Sequence, residues 1–224
     1  MFDYICVLDF EATCDRNKTF VPDHEVIEFP SVLLRKIDNR YEVVSEFQEF
    51  CRPLYNVKLT EFCKELTGIT QAQVSPAANF PDVLEHHRAW LEEHAGGLEP
   101  ERLIIVTCGR WDLLQMLPAE CRRWVIKPHT IYHRAVNIKD AFCQRYGPFR
   151  GGMAAMLAYM ELELLGRHHS GIDDCRNIAR MAVQLANEIT PELVLQVDPS
   201  LYNLTSAERA KAKATLQRQL VKRQ

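Results

Sequence analysis

The stretch Tyr4-Ile5-Cys6-Val7-Leu8-Asp9-Phe10-Glu11-Ala12-Thr13 limits what this chain can fold into more than any other. It opens as an apolar run suited to the middle of a sheet, yet it ends in two acids. Side chains alternate across a strand, so Asp9 and Glu11 share one face while Leu8 and Phe10 share the other. Neighbouring carboxylates repel, and at a buried strand end such a pair persists when a cation lies between them. An all-oxygen donor set suits a hard divalent ion such as Mg²⁺ or Mn²⁺. Taken alone, Asp-x-Glu reads first as a strand that runs out into solvent with both acids exposed. The metal reading therefore needs further acids delivered to the same place by other parts of the chain.

The 224 residues suffice for one full core, and no composition shift or low-complexity linker divides them. One α/β domain over residues 1–204 is expected, followed by a basic helical tail over 205–224. No run is long and apolar enough to span a bilayer, and Phe2 to Asp9 reads as a core strand with no charged leader region, so neither a membrane partner nor secretion is expected. The expected compartment is cytoplasmic or nuclear. The eight cysteines stand singly, without Cys-x-x-Cys spacing, and read as reduced thiols packed as small hydrophobes. A net charge of −3 does not decide about nucleic acid, because a basic rim can offset an acidic metal site.

After the opening strand, Arg16 to Asp23 reads as a polar loop and Val26 to Leu34 as a second strand, with Pro30 implying an edge or a bulge. A turn at Asp38-Asn39 leads to a third strand, Tyr41 to Phe50, antiparallel to the second. Thr60 caps a short helix through Leu66 that Gly68 closes, and Asn79 or Pro81 opens a longer helix ended by Gly96-Gly97. On that helix His86 and His87 read as structural histidines rather than ligands. Leu103 to Thr107 is a strand covered on both faces, turning at Cys108-Gly109-Arg110-Trp111-Asp112 into a helix near Leu113. That places Asp112 at the carboxyl end of a strand, where open α/β sheets bind ligands, although an N-cap role explains it equally well. Val136 to Lys139 reads as the final strand, and Ala141 to Tyr146 and Met153 to Tyr159 as helices.

In Gly166-Arg167-His168-His169-Ser170-Gly171-Ile172-Asp173-Asp174, the apolar stripe Ile172, Cys175, Ile178, Ala179, Ala182, Leu185 and Ala186 puts both acids on the first turn of a helix and both histidines on the loop before it. A histidine on a loop beside a carboxylate on a helix suits a general base next to a metal ligand.

Together these pieces run in the order Asp9, Glu11, Asp112, His169, Asp174. Here the chain resembles the DEDDh 3′-to-5′ exonucleases of the DnaQ-like group and, within them, the Eri-like exoribonucleases. The resemblance rests on Leu8-Asp9-Phe10-Glu11-Ala12-Thr13-Cys14, Ile27-Glu28-Phe29-Pro30, Phe62-Cys63-Lys64-Glu65-Leu66-Thr67-Gly68-Ile69, Trp111-Asp112 and Gly166-Arg167-x-His169-Ser170-Gly171-Ile172-Asp173-Asp174, colinear over about residues 1 to 190. It implies a ribonuclease H-like fold: a mixed five-stranded sheet, its first three strands an antiparallel meander, flanked by helices. It also implies that Asp9, Glu11, Asp112 and Asp174 hold two Mg²⁺ ions, for which Mn²⁺ can substitute, and that His169 is the general base, with His168 standing where relatives often have proline. Phe10, Ala12, Leu66, Thr67 and Trp111 would form the slot for the terminal nucleotide; Phe10, Leu66 and Trp111 also fit a plain core role. The implied activity is release of nucleoside 5′-monophosphates from RNA 3′ ends, single-stranded or with short overhangs, with protein partners possible for targeting. The competing expectations are a nucleic-acid-binding scaffold that keeps the fold, and a nuclease acting on DNA as well. In the tail, Thr205 and Glu208 form a capping box, and Arg209, Lys211, Lys213, Arg218, Lys222 and Arg223 make it basic.

Overall fold

The structure, a computed structural model, describes residues 1–16 and 24–221. Most of the polar loop read at Arg16 to Asp23 and the last three residues of the tail thus lie outside the described residues. Five strands of the expected sheet are present: β1 (Tyr4–Leu8), β3 (Val26–Ile37), β4 (Arg40–Phe50), β5 (Leu103–Thr107) and β6 (Arg134–Asn137). Two strands of two residues each join them, β2 (Glu11–Ala12) and β7 (Leu195–Gln196). β3 pairs antiparallel with β1 and β2 along one edge and with β4 along the other, β1–β5 and β5–β6 are parallel, and β7 is antiparallel to β6.

Strand alternation sorts the core into two layers. Tyr4, Cys6 and Leu8 of β1 and Leu103 and Ile105 of β5 face α3 (Phe80–Ala95) and α4 (Leu117–Trp124). Ile5, Val7, Ile104 and Val106 face α5 (Ile138–Tyr146), α6 (Met153–Tyr159) and α7 (Gly171–Gln184). β1 and β5 are buried on both faces, which is why both read as unbroken apolar runs.

The readings near Pro30, Val136 and Asp112 need correction. Pro30 lies on an interior strand, at neither an edge nor a bulge: the register is the same at Leu8–Ser31 and at Glu11–Glu28, and the ladder lapses between them, where Pro30 brings no N–H. The strand read at Val136 to Lys139 ends at Asn137, whose side chain accepts the Lys139 N–H and starts α5; nor is it the last strand, since β7 follows. The helix after β5 opens as a π-helical turn, Asp112–Met116, leading into α4. Pro118 brings no N–H to the Leu114 carbonyl, and the wider turn is one way to accommodate that loss.

The expected short helix is α1 (Glu61–Thr67), N-capped by the Thr60 hydroxyl and closed by Gly68 at φ 77°, and a single turn, α2 (Gln71–Val74), follows it. The tail forms α8 (Ser206–Val221), and Thr205 and Glu208 make the reciprocal bonds of the capping box. α8 packs against α4.

His87 is structural, as read, and wholly buried. Its Nδ1 lies 2.8 Å from Tyr132 Oη and its Nε2 2.8 Å from Ser31 Oγ, and its ring stacks 4.4 Å from Phe29. Burial holds its pKa down to about 3, against roughly 6.5 in an unfolded chain. The unfolded chain therefore takes the proton first: the neutral imidazole's contribution is complete above about pH 6.5 and is lost as pH falls toward 3. His87→Ala should cost about 3 kcal/mol at neutral pH through the cavity and two stranded hydroxyls. His87→Phe should show a flatter loss of stability between pH 6 and 4 in urea titrations; a slope equal to wild type would refute the buried neutral imidazole.

Candidate metal and active site

The break between β1 and β2 builds the centre of the site. Asp9 sits in the break and Glu11 resumes pairing, and with Asp174 of α7 they bring carboxylate oxygens within 4.8 Å of one another. Asp112 opens the π-helical turn after β5, and its Oδ1 accepts the Phe10 N–H at 2.9 Å, tying that turn to the end of the first strand. Elements far apart in sequence thus converge at the carboxyl ends of two parallel strands, where helix starts are oriented to receive charge.

A fifth acid lies beneath them. Glu28, opposite Glu11 on β3, is buried, takes 2.7 Å from Gln48 Nε2 and accepts the Gly171 N–H at 3.2 Å, tying the start of α7 to the sheet. Gly171 has to be small, since a Cβ there would lie 2.8 Å from Pro30 and 3.0 Å from Glu28. The sequence reading gave Glu28 no role, although the antiparallel register that follows from the meander places it across from Glu11.

Crowding and burial both act against ionisation. Burial, then the charges of Asp112, Glu11 and Asp174, lifts Asp9 well above the ordinary carboxylate range. Glu11 is pushed up to about 9 by burial and then by Glu28. Burial raises Asp112 to about 6 against the opposing Phe10 N–H bond. Asp174 is also raised by burial, although His168 and the His169 N–H favour its charged form. Four acids that resist ionisation side by side, with no basic side chain bonded to Asp9, Glu11 or Asp112 among the described residues, form an oxygen-only set that fits a hard divalent cation.

The two histidines meet Asp174 in different ways. His168 points Nδ1 at Asp174, 3.2 Å from each oxygen, whereas His169 donates its backbone N–H to Asp174 Oδ2 at 3.0 Å. The rings stack with centroids 4.0 Å apart, and His169 holds the left-handed φ of 67°. Burial, then the neighbouring His168, lowers the pKa of His169 and favours the neutral imidazole.

The residues expected to line a slot divide in two. Phe10 is 5% exposed, its ring packed edge-on 4.7 Å from Phe29, and Ala12 is buried in β2. The Thr67 hydroxyl donates to the Cys63 carbonyl at 2.8 Å and accepts from the Ile69 N–H. Leu66 is half-buried at the end of α1, and Trp111, 37% exposed, stands with His24 at 6.1 Å. Leu66 and Trp111 therefore carry the accessible apolar surface of the five. Among the described residues no helix is long and apolar enough to cross a membrane.

A meander running into parallel strands, flanked by helices, with two acids at the first strand's end, one after a later strand and one at the start of the last sheet-packing helix, is a mixed α/β fold that matches DEDDh exonuclease structures. A family model described as exonuclease matches residues 6–182, and the chain belongs to that family. It is 38% identical over 189 residues to 3'-5' exoribonuclease 1 of Mus musculus, covering 84% of this chain and 54% of that protein. With ERI1 exoribonuclease 3 of Homo sapiens it shares 38% over 187 residues, 83% of this chain and 54% of the relative. The chain thus spans about half the length of the curated relatives it matches. Among solved structures, the nuclease domain of 3'hExo, a DEDDh family member, bound to rAMP, matches with TM-score 0.75 and 36% identity over 84% of this chain and 94% of that one. A structure of 3'-end specific recognition of histone mRNA stem-loop by 3'-exonuclease matches with TM-score 0.76 and 32% identity, covering 89% and 92%.

In the metal-free protein Glu11 has a folded pKa of about 9 and an unfolded one near 4.5, so the native state holds an extra proton between those values. Its contribution is intact below about pH 4.5 and is lost as pH rises toward 9. Melting in EDTA should show wild type losing stability across that range, with Glu11→Gln losing less; parallel curves would mean that Glu11 ionises freely.

Proposed function

We propose that this chain is a divalent-metal-dependent 3′-to-5′ exoribonuclease that releases nucleoside 5′-monophosphates from RNA 3′ ends. The observation that carries the reading is the convergence of Asp9, Glu11 and Asp174 beside Asp112 and two imidazoles, joined by the likeness to proteins named as 3'-5' exoribonucleases. Asp9, Glu11, Asp112 and Asp174 would hold Mg²⁺, with Mn²⁺ as a substitute. Bound divalent ions supply Lewis acidity, making a water nucleophilic and stabilising the leaving 3′-oxygen. The chain's own groups do the rest. A neutral imidazole of the histidine loop accepts the water's proton, Asp174 orients that loop through the His169 N–H, and Leu66 and Trp111 offer apolar surface on which the terminal base and sugar rest.

His169 is the base by its spacing to Asp174, and its lowered pKa keeps it in the accepting form. A specific observation favours His168 as the second reading: its Nδ1, not the His169 ring, faces the Asp174 carboxylate. The substrate in this reading is RNA with a single-stranded end or short overhang, consistent with the neighbour bound to rAMP. Residues 1–204 are the catalytic unit, and basic α8 in the remainder is available to phosphates or to protein partners.

Mg²⁺ should raise the melting temperature of wild type by mass action, and much less so that of Asp174→Asn, which should lose hydrolysis about 10³-fold or more while remaining folded. Labelled single-stranded RNA and DNA of one sequence, each with Mg²⁺ or EDTA, test the activity: 5′-monophosphate release from RNA with Mg²⁺ is expected, and full activity in EDTA would defeat the reading. His169→Ala should lose about 10²-fold or more and His168→Ala less than about tenfold. The reverse order would move the base to His168.

A further inference from the structure

The histidine loop is anchored at three places, and one of them leaves its own helix. Asp173 accepts the Arg167 N–H through Oδ2 at 3.0 Å and is itself held by Arg176 Nη1 at 3.0 Å. Gly166, at φ 71°, lies so close to Asp173 that a Cβ would stand 2.4 Å from its carboxyl carbon. Asp174 takes the His169 N–H. These two anchors are consecutive residues of α7 and move with it. The third is the Arg167 side chain, whose Nη2 donates to the carbonyls of Glu65 and Leu66 at the end of α1.

The last carbonyls of a helix lack intrahelical partners and carry partial negative charge, and a guanidinium offers several N–H donors in one plane. Gly68 completes the seat: a Cβ there would lie 3.3 Å from Arg167 Nε, and its φ of 77° independently favours glycine. Arg167 therefore caps α1 while its backbone leads directly into His168 and His169. The same helix end presents half-buried Leu66, read above as a wall of the nucleotide slot. Arg167 is thus a direct, charge-assisted contact between the end of α1 and the backbone that carries the imidazoles.

We infer that Arg167 is a positioning residue that joins the nucleotide-binding end of α1 to the histidine loop, so that occupation of the slot by the 3′-terminal nucleotide sets the imidazole in place. This rests on the exoribonuclease reading and adds to it a link between substrate seating and the proton acceptor. Lysine would keep the charge but would not reproduce the planar reach to two carbonyls with Gly68 beneath.

The test compares wild type, Arg167→Met and Arg167→Lys, with side-chain ¹⁵N NMR of the histidines during titration with 5′-AMP and single-turnover hydrolysis of a short RNA under saturating Mg²⁺. In wild type, 5′-AMP should move the His168 and His169 ring signals. In Arg167→Met, 5′-AMP should still bind within about threefold while those signals stay put, and the single-turnover rate should fall about tenfold or more. Arg167→Lys should recover only part of the rate, and if the methionine variant is unfolded by circular dichroism the lysine variant carries the same comparison. Guanidinium ion added to Arg167→Ala should restore part of the rate, which a purely stabilising role would not produce. Variants that turn over at the wild-type rate, with histidines that respond to 5′-AMP as wild type does, would overturn the role of Arg167 and leave the exoribonuclease reading standing. A wild type that neither binds 5′-AMP nor hydrolyses RNA would overturn both.

Discussion

Mutual repulsion among buried carboxylates is the constraint around which the carboxyl edge of this sheet is built. Asp9, Glu11, Asp112, Asp174 and Glu28 are brought together where burial alone already opposes their charge. A continuous strand through residues 4 to 12 would satisfy more backbone bonds. The chain interrupts it instead, with Pro30 opposite the gap and the Phe10 N–H turned to Asp112. That donor, on the side of the strand where β5 has already ended, is satisfied by an acid of another element, so a backbone need at the strand end also fixes Asp112.

The supporting groups are small and polar for the same reason. Gly171 lets the start of α7 approach Pro30 and Glu28, and Glu28 accepts the Gly171 N–H. Asp173 and Asp174, adjacent in sequence, point to different tasks: one holds Arg167 and Arg176, the other enters the carboxylate cluster. Roughly 100° of rotation between successive helical residues is enough to separate a loop anchor from a candidate ligand.

Much of this was legible because it follows short-range rules. Alternation put Leu8 and Phe10 on one face and the two acids on the other, and the stripe from Ile172 to Leu185 faces the core as its spacing required. Thr60, Gly68 and the Thr205–Glu208 pair ended or began helices by side-chain and left-handed chemistry that a sequence displays directly. What was not legible depended on partners remote in sequence. Pro30 read as a mark of an edge or a bulge because nothing local tells that the neighbouring strand lapses beside it. Ile138 read as strand because it is apolar, whereas the Asn137 side chain had already begun a helix. β7 is two residues long and exists only through its pairing with β6. Phe10 carries the aromatic character of a stacking residue, yet Phe29 and Phe80 enclose its ring.

The histidine pair shows where spacing stops being informative. The resemblance, with its five residues from histidine to aspartate, selects His169, and that residue does contact the carboxylate, but through its backbone N–H at a left-handed φ. That conformation turns the chain so that the preceding ring reaches Asp174 and both imidazoles stack. A non-glycine residue at positive φ is sterically disfavoured and persists where surrounding bonds over-determine it, here Asp174 behind and the Arg167 and Asp173 contacts ahead. Which ring faces Asp174 is therefore decided by the geometry of this loop, and that geometry is held by groups outside the carboxylate cluster. The two imidazoles are chemically identical, so the supports in residues 166–170, more than the identity of either histidine, set which of them meets the Asp174 carboxylate.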